Sequence, residues 1–198
     1  MIKNNQIKRT DLGLVTYTIL SNGSDLPDTI DVFNIEITLS QNNDIQLKIF
    51  DDRNFTTANS SIFEIGNTIE VKGGYENQNH SICSAEITRK KIKVNAEIGA
   101  ILIVDCTSIN SHIGSNEAIL QLSLDENILD STISINRSNT NVINGEIKIQ
   151  GTGAVKTNDI VTIKGFGEKF DRNTRVSKIH HEIGNGNWLS TFYFGNNS

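Results

Sequence analysis

Thr162–Gly195 reads TIKGFGEKFDRNTRVSKIHHEIGNGNWLSTFYFG. Apolar and polar residues alternate at its two ends, glycine and charged residues fill its middle, and Gly184-Asn185-Gly186 separates two alternating runs. Successive strand residues point to opposite faces of a sheet, and Asn-Gly pairs tolerate the positive φ that a tight hairpin needs. The stretch therefore reads as strand, loop, strand, turn, strand.

The same period of two recurs outward along the chain. It is present in LVTYTIL from Leu14, VFNIEITLS from Val32, IQLKIF from Ile45, IEVKG from Ile69, ILIVDC from Ile101 and ILQLSL from Ile119. Val, Ile, Thr, Phe and Tyr fill the runs, and Asn, Asp, Gly and Ser separate them, as strands and turns require. Short, evenly spaced runs of this kind predict an all-β protein built as barrels or sandwiches. Only Asp52–Ser61 and Glu117–Leu129 compete as helices. The first is polar and reads as a turn or loop; the second alternates at Leu120, Leu122 and Leu124 and fits a strand better.

The closing pattern has a counterpart earlier in the chain. GNTIEVKGGYE (Gly66–Glu76) and NDIVTIKGFGE (Asn158–Glu168) align without a gap: Asn67 with Asp159, Ile69 with Val161, Val71 with Ile163, Lys72-Gly73 with Lys164-Gly165. Each copy is preceded by an alternating strand, DIQLKIF or GEIKIQG, and followed by two more, ICSAEIT then AILIVDC, or RVSKIHHEI then WLSTFYFG. Repeated element order predicts two tandem, related antiparallel β-barrel domains. Their expected bounds are 12–105 and 117–195, with 106–116, rich in Ser, Asn and Gly, as the linker.

Composition narrows the function. At 198 residues the chain is long enough for one large domain or two small ones, and 36% hydrophobic with 21% charged residues suits a globular protein. No apolar run approaches the roughly 20 residues of a membrane-spanning helix. The N-terminal MIKNNQIKRTDLG has no apolar signal core, so synthesis in the cytoplasm is expected. A net charge of -5 argues against nucleic acid as the main partner. The basic run RKKIK (Arg89–Lys93) alternates across a predicted strand and reads as a solvated hairpin.

In this order of strands the C-terminal half resembles the tube-like hub region of VgrG spike proteins of type VI secretion systems, itself similar to the baseplate hub of contractile-tailed phages. The stretches that carry the resemblance are GEIKIQGTGAVKTNDIVTIKGFGEKF and VSKIHHEIGNGNWLSTFYFG, through Gly145, Gly151, Asp159, Gly165, Phe170, His181, Gly186, Trp188 and Gly195 among others. FEIGNTIEVKGGY resembles the start of the same region. The resemblance implies a homotrimer in which each subunit supplies two barrels, giving a pseudo-sixfold ring between a hexameric inner-tube protein and a trimeric spike or needle protein. It also implies cytoplasmic assembly into an injection particle and no catalysis. The long insertion usual between the family's barrels is missing, Thr157 stands for the turn proline, and Phe170-Asp171-Arg172 stands for the FNG of close relatives. The chain stops about where the family continues into an OB-fold and a β-helical needle, so the expectation is either piercing by a separate chain or a trimmed or minimal hub.

His180 and His181 are adjacent on a predicted strand, point to opposite faces and cannot share a metal; His80 and His112 read as loop residues. For His181 the resemblance implies a packing or hydrogen-bonding role. Cys83 and Cys106 lack any metal or redox spacing and read as buried thiols. Asp51-Asp52 and Asp125-Glu126 read as solvated turns, and a hydrolase would need two carboxyls converging in a cleft. No nucleophile, phosphate-loop or metalloprotease motif occurs, so no catalytic, cofactor-binding or metal residue is expected. Trp188 reads as a barrel-end plug sharing a strand face with Phe192 and Phe194. The alternative is an exposed stacking platform, which would make the chain a carbohydrate- or ligand-binding β-sandwich module.

Overall fold

The computed structural model describes residues 13–96, 99–109, 111–136 and 139–195. Its thirteen strands are β1 (Val15–Ser21), β2 (Ser24–Asp25), β3 (Val32–Leu39), β4 (Asn42–Asp51), β5 (Thr68–Tyr75), β6 (His80–Asn95), β7 (Gly99–Ile109), β8 (Ala118–Ser123), β9 (Ile128–Asn136), β10 (Asn139–Gln150), β11 (Ile160–Lys164), β12 (Arg172–Gly184) and β13 (Asn187–Phe194). Among the described residues the one helical element is a 3-10 turn, Ser61–Phe63, which drops Phe63 into the core. The protein is all-β, as the alternation predicts. Asp52–Ser60 is turns and coil, and Glu117–Leu129 is strand, turn, strand.

Strand order shows how the halves relate. Along the sheet β5-β6-β7-β4-β3 run side by side, and so do β11-β12-β13-β10-β9. The register agrees residue for residue with the sequence repeat. Ile69 pairs with Ala85 and Val71 with Cys83 in the first half; Val161 pairs with Thr174 and Ile163 with Arg172 in the second. Gly66 (φ 96°) and Asn158 (φ 68°) take the same left-handed conformation at the entrance to β5 and β11. Each donates a backbone hydrogen bond there, Gly66 N–H to Ile87 O and Asn158 N–H to Val176 O. Even the irregularities match: an extra residue breaks β6 against β7 between Ile87 and Arg89, and β12 against β13 between Val176 and Lys178. A bulge kept at one place in both copies turns each long strand in the same way.

The copies differ at their outer strand. β1 pairs antiparallel with β5, whereas β8 pairs parallel with β11. The chain thus enters the second half from the opposite end. β7 continues through Cys106–Ile109 into the stretch read as a linker, where Thr107 and Ser108 still pair with β4.

Alternating residues from both halves feed one contiguous core, including Ile35, Ile37, Leu47, Ile69, Ile87 and Leu102 from the first and Ile147, Ile163, Ile179, Phe192 and Phe194 from the second. What holds the halves together is β3 lying against β12, with Ile35 opposite Ile183 and Leu39 opposite Ile179. The β12–β13 turn is Asn185-Gly186 with φ of 51° and 74°. Two positive values at the central positions are what a two-residue hairpin of type I′ requires.

Candidate functional site: the seam and the strand edges

Where the two halves meet, the sequence has placed its one tryptophan. Trp188, first on the inward face of β13, is 2% exposed and stacks on Tyr75 of β5 with ring centroids 5.8 Å apart. Tyr75 Oη donates to Gly151 O at 3.0 Å, and Gly151 N–H donates to Trp188 O at 2.8 Å. A Cβ on Gly151 would lie 2.0 Å from Trp188 Cγ, so this position takes only glycine without displacement of the ring. Gly73 is the matching small residue across the seam, where a Cβ would meet Ile82 at 2.7 Å and Trp188 at 3.4 Å. Trp188 is therefore a plug between the two halves, and its buried ring offers no platform for a sugar.

Behind the indole sits a buried polar group that the first half lacks. Ser190 Oγ accepts the Thr152 N–H at 3.1 Å and lies 2.7 Å from His181 Nδ1. Its own hydroxyl hydrogen is free to be donated to that nitrogen, and Trp188 Nε1–H points at the same nitrogen from 3.4 Å. Both donors need an unprotonated Nδ1, so the ring proton is assigned to Nε2, which is buried without a hydrogen-bond partner. Burial above all, then the charges of Lys156 and His180, push the His181 pKa down to about 3. The ring is a neutral packing element.

The other chemistry-bearing side chains are separated and tied down. His180 faces away from His181, 3.2 Å from Thr38 Oγ1 and 3.5 Å from Glu182. His80 begins β6 and is not a loop residue. His112 lies 2.9 Å from the buried Asp159, whose carboxylate also accepts the N–H groups of Ser115 and Lys156. That carboxylate anchors the 111–115 segment to the start of β11. Asp51 accepts the backbone N–H groups of Thr57 and Ala58, and Asp52 those of Asn54 and Thr56, which closes the 52–60 segment into turns. Hydrogen bonds, chiefly from the Thr56 side chain, hold the Asp52 carboxyl below its ordinary range. Cys83 and Cys106 are buried free thiols whose pKa values burial pushes up to about 11 and about 12, which leaves them unreactive. Among the described residues no three His, Cys, Asp or Glu side chains gather to hold a metal. No described helix is long and apolar enough to cross a membrane.

Lys156 is a residue that sequence reading passed over. It is half-buried, its Nζ donates to Ile82 O of β6 at 2.6 Å, and burial lowers its pKa. It forms a second tie between the halves.

The remaining functional features are backbone edges. β9 ends the sheet, with β10 as its one strand neighbour, and β6 beyond Ile87 has β7 on one side and no strand on the other among the described residues. On that free stretch Ile92 is 47% and Val94 68% exposed.

Comparison with known proteins agrees with this fold. A family model described as the Alg8 N-terminal domain matches residues 11–142 and 131–185. No curated protein matches the sequence. Among solved structures, the 43 kDa tail protein of prophage MuSo2 from Shewanella oneidensis superposes with a TM-score of 0.58 at 9% identity, over 90% of this chain and 96% of that one. A tail protein from Neisseria meningitidis MC58 gives 0.58 at 6% identity, over 91% and 96%. The E. coli c3393 protein, a type VI secretion component described as structurally similar to the T4 bacteriophage tail proteins gp27 and gp5, gives 0.57 at 9% identity, over 91% and 77%. The likeness to a tail hub carried by the C-terminal motifs is thus borne out, and at these identities it is a likeness of fold.

Proposed function

This chain belongs to the Alg8 N-terminal domain family, and from that premise and its tail-protein fold we propose that it is a structural hub of a contractile injection machine. Three copies, each supplying two barrels with bounds near 12–105 and 117–195, close into a pseudo-sixfold ring. The ring meets a hexameric inner-tube protein on one side and a trimeric spike or needle protein on the other, and it assembles in the cytoplasm into the particle. Its work is geometric and not catalytic.

The observation that carries this reading is the duplicated register. A threefold object that must fit a sixfold tube has to present six similar surfaces, and two equivalent barrels per chain supply them. The fold shared with solved tail proteins supports it independently.

The mass of the purified protein in solution, by native mass spectrometry or light scattering over a concentration series, tests the ring. The expected result is a trimer or a multiple of three. A monomer at every concentration would overturn self-assembly of the hub.

A further inference from the structure

We infer that the free edge of β9 in one copy pairs antiparallel with the Arg89–Val94 stretch of β6 in the next, in the register that β3 and β12 adopt within the chain. The inference deepens the hub reading and rests on it for the number of copies; the pairing itself rests on the duplication.

Matching the halves strand by strand fixes the prediction. The β6–β7 and β12–β13 registers make Ile92 the counterpart of His181 and Lys93 the counterpart of Glu182. The β3–β4 and β10–β9 registers make Ile133 the counterpart of Ile37 and Thr132 the counterpart of Glu36. Within the chain His181 lies opposite Ile37 and Glu182 opposite Glu36. The equivalent contact between copies therefore sets Ile92 opposite Ile133 and Lys93 opposite Thr132.

Burial marks the same surfaces. Ile37 and His181 are fully buried because β12 and β3 cover one another. Their counterparts lack that cover: Ile133 is half-buried and Ile92 is 47% exposed. A strand laid along each edge would complete both.

Charge selects the partner. β6 against β6 would set Lys91 and Lys93 against the same lysines, which disfavours a symmetric pair. β9 presents Ser, Thr and Ile there, with Asp130 as its one charged residue. Unlike edges are therefore preferred, and a head-to-tail contact between unlike edges is the kind that closes a ring. The RKKIK run then has a second role. Besides blunting an edge against indiscriminate association, its lysines reject the wrong partner.

Cysteine cross-linking of the full chain tests this, because directly opposed strand residues lie within disulfide reach and residues two places out of register do not. Lys93 and Thr132 are both exposed, so Lys93→Cys and Thr132→Cys should leave the fold intact, as matching melting temperatures would confirm. Mixing the two single variants under mild oxidation is expected to give covalent dimers, and the double variant is expected to lose its monomer band to a covalent trimer. Lys93→Cys with Ser134→Cys should give no more than a trace. A trimer by mass that refuses the in-register link would overturn the pairing and leave the hub reading standing. An in-register ladder running beyond three copies would uphold the pairing and overturn the closed ring. Lys93→Cys that links efficiently to itself, or a monomer with no link at all, would overturn the pairing.

Discussion

Acid should destabilise this protein through His181, and the size of the effect follows from its surroundings. In the folded chain the ring is completely buried and accepts hydrogen at Nδ1 from Ser190 and Trp188, and its pKa falls to about 3. Unfolding exposes it to water and restores an ordinary value near 6.5. A depressed folded pKa means that the unfolded chain takes up the proton first, so stability is complete above about pH 6.5 and declines as pH falls toward 3. The slope from one such group is about 1.4 kcal/mol per pH unit, so moving from pH 7 to pH 5 removes about 2 kcal/mol. For a chain of this length that lowers the melting temperature by about 4–8 °C. The assay is urea or thermal unfolding at both pH values, at one fixed protein concentration because self-association raises the apparent stability. His181→Gln, which cannot titrate, supplies the comparison. It will be less stable at pH 7 for want of packing, but its loss between pH 7 and pH 5 should be smaller than that of the wild type by about 2 kcal/mol, since His80, His112 and His180 remain in both. Parallel pH profiles for the two proteins would refute the assignment of His181 as a buried neutral ring.

The seam yields two further expectations. Gly151→Ala should cost about 1–3 kcal/mol in chemical denaturation because its methyl would fall on the Trp188 ring, whereas Gly153→Ala, with its nearest neighbour at 3.7 Å, should change stability by less than about 0.5 kcal/mol. Equal effects would contradict the plug geometry. Trp188, the chain's one tryptophan, should fluoresce at short wavelength, resist acrylamide quenching and ignore a panel of sugars. Ready quenching, or a sugar-dependent shift, would favour a binding module instead.

Local signals in the sequence carried far here because the fold is local within each half. Alternation identified the strands, since one face of each is buried and a slip of one residue would reverse it. Asn185-Gly186 identified the hairpin for a stereochemical reason that no tertiary contact overrides. The ungapped match of Gly66–Glu76 with Asn158–Glu168 anticipated the register itself, because Gly66 and Asn158 both have to turn left-handed at one point. The direction of β8 was not legible. Leu120 and Leu122 would alternate in the same way whether β8 ran parallel or antiparallel to β11. Nor was the seam. Ile35, Ile37 and Leu39 announce a buried face, but period two says which face is inward and nothing about which strand lies beside it. The polar core around His181 was hidden for a related reason, because it needs Ser190 and Trp188 of β13 and Thr152 of a loop brought to a residue of β12.

The seam and the free edges are one physical problem met twice. A half of this chain, taken alone, has an edge strand with unsatisfied N–H and C=O groups and an apolar row beneath it, the state that invites uncontrolled association. Duplication solves it once, internally, by laying β3 on β12 and burying Ile35, Ile37 and Leu39 to within 3%. It also recreates the same pair of edges one repeat further on, at β9 and β6, with the same register already built. A duplicated chain whose outer edges match its inner seam cannot satisfy itself; under the proposed pairing another copy satisfies it, and the succession ends only where the rotation closes. Copy number is then set by the angle between the two halves and not by any side chain, which is why trimer mass and in-register cross-linking are separate measurements with separate consequences.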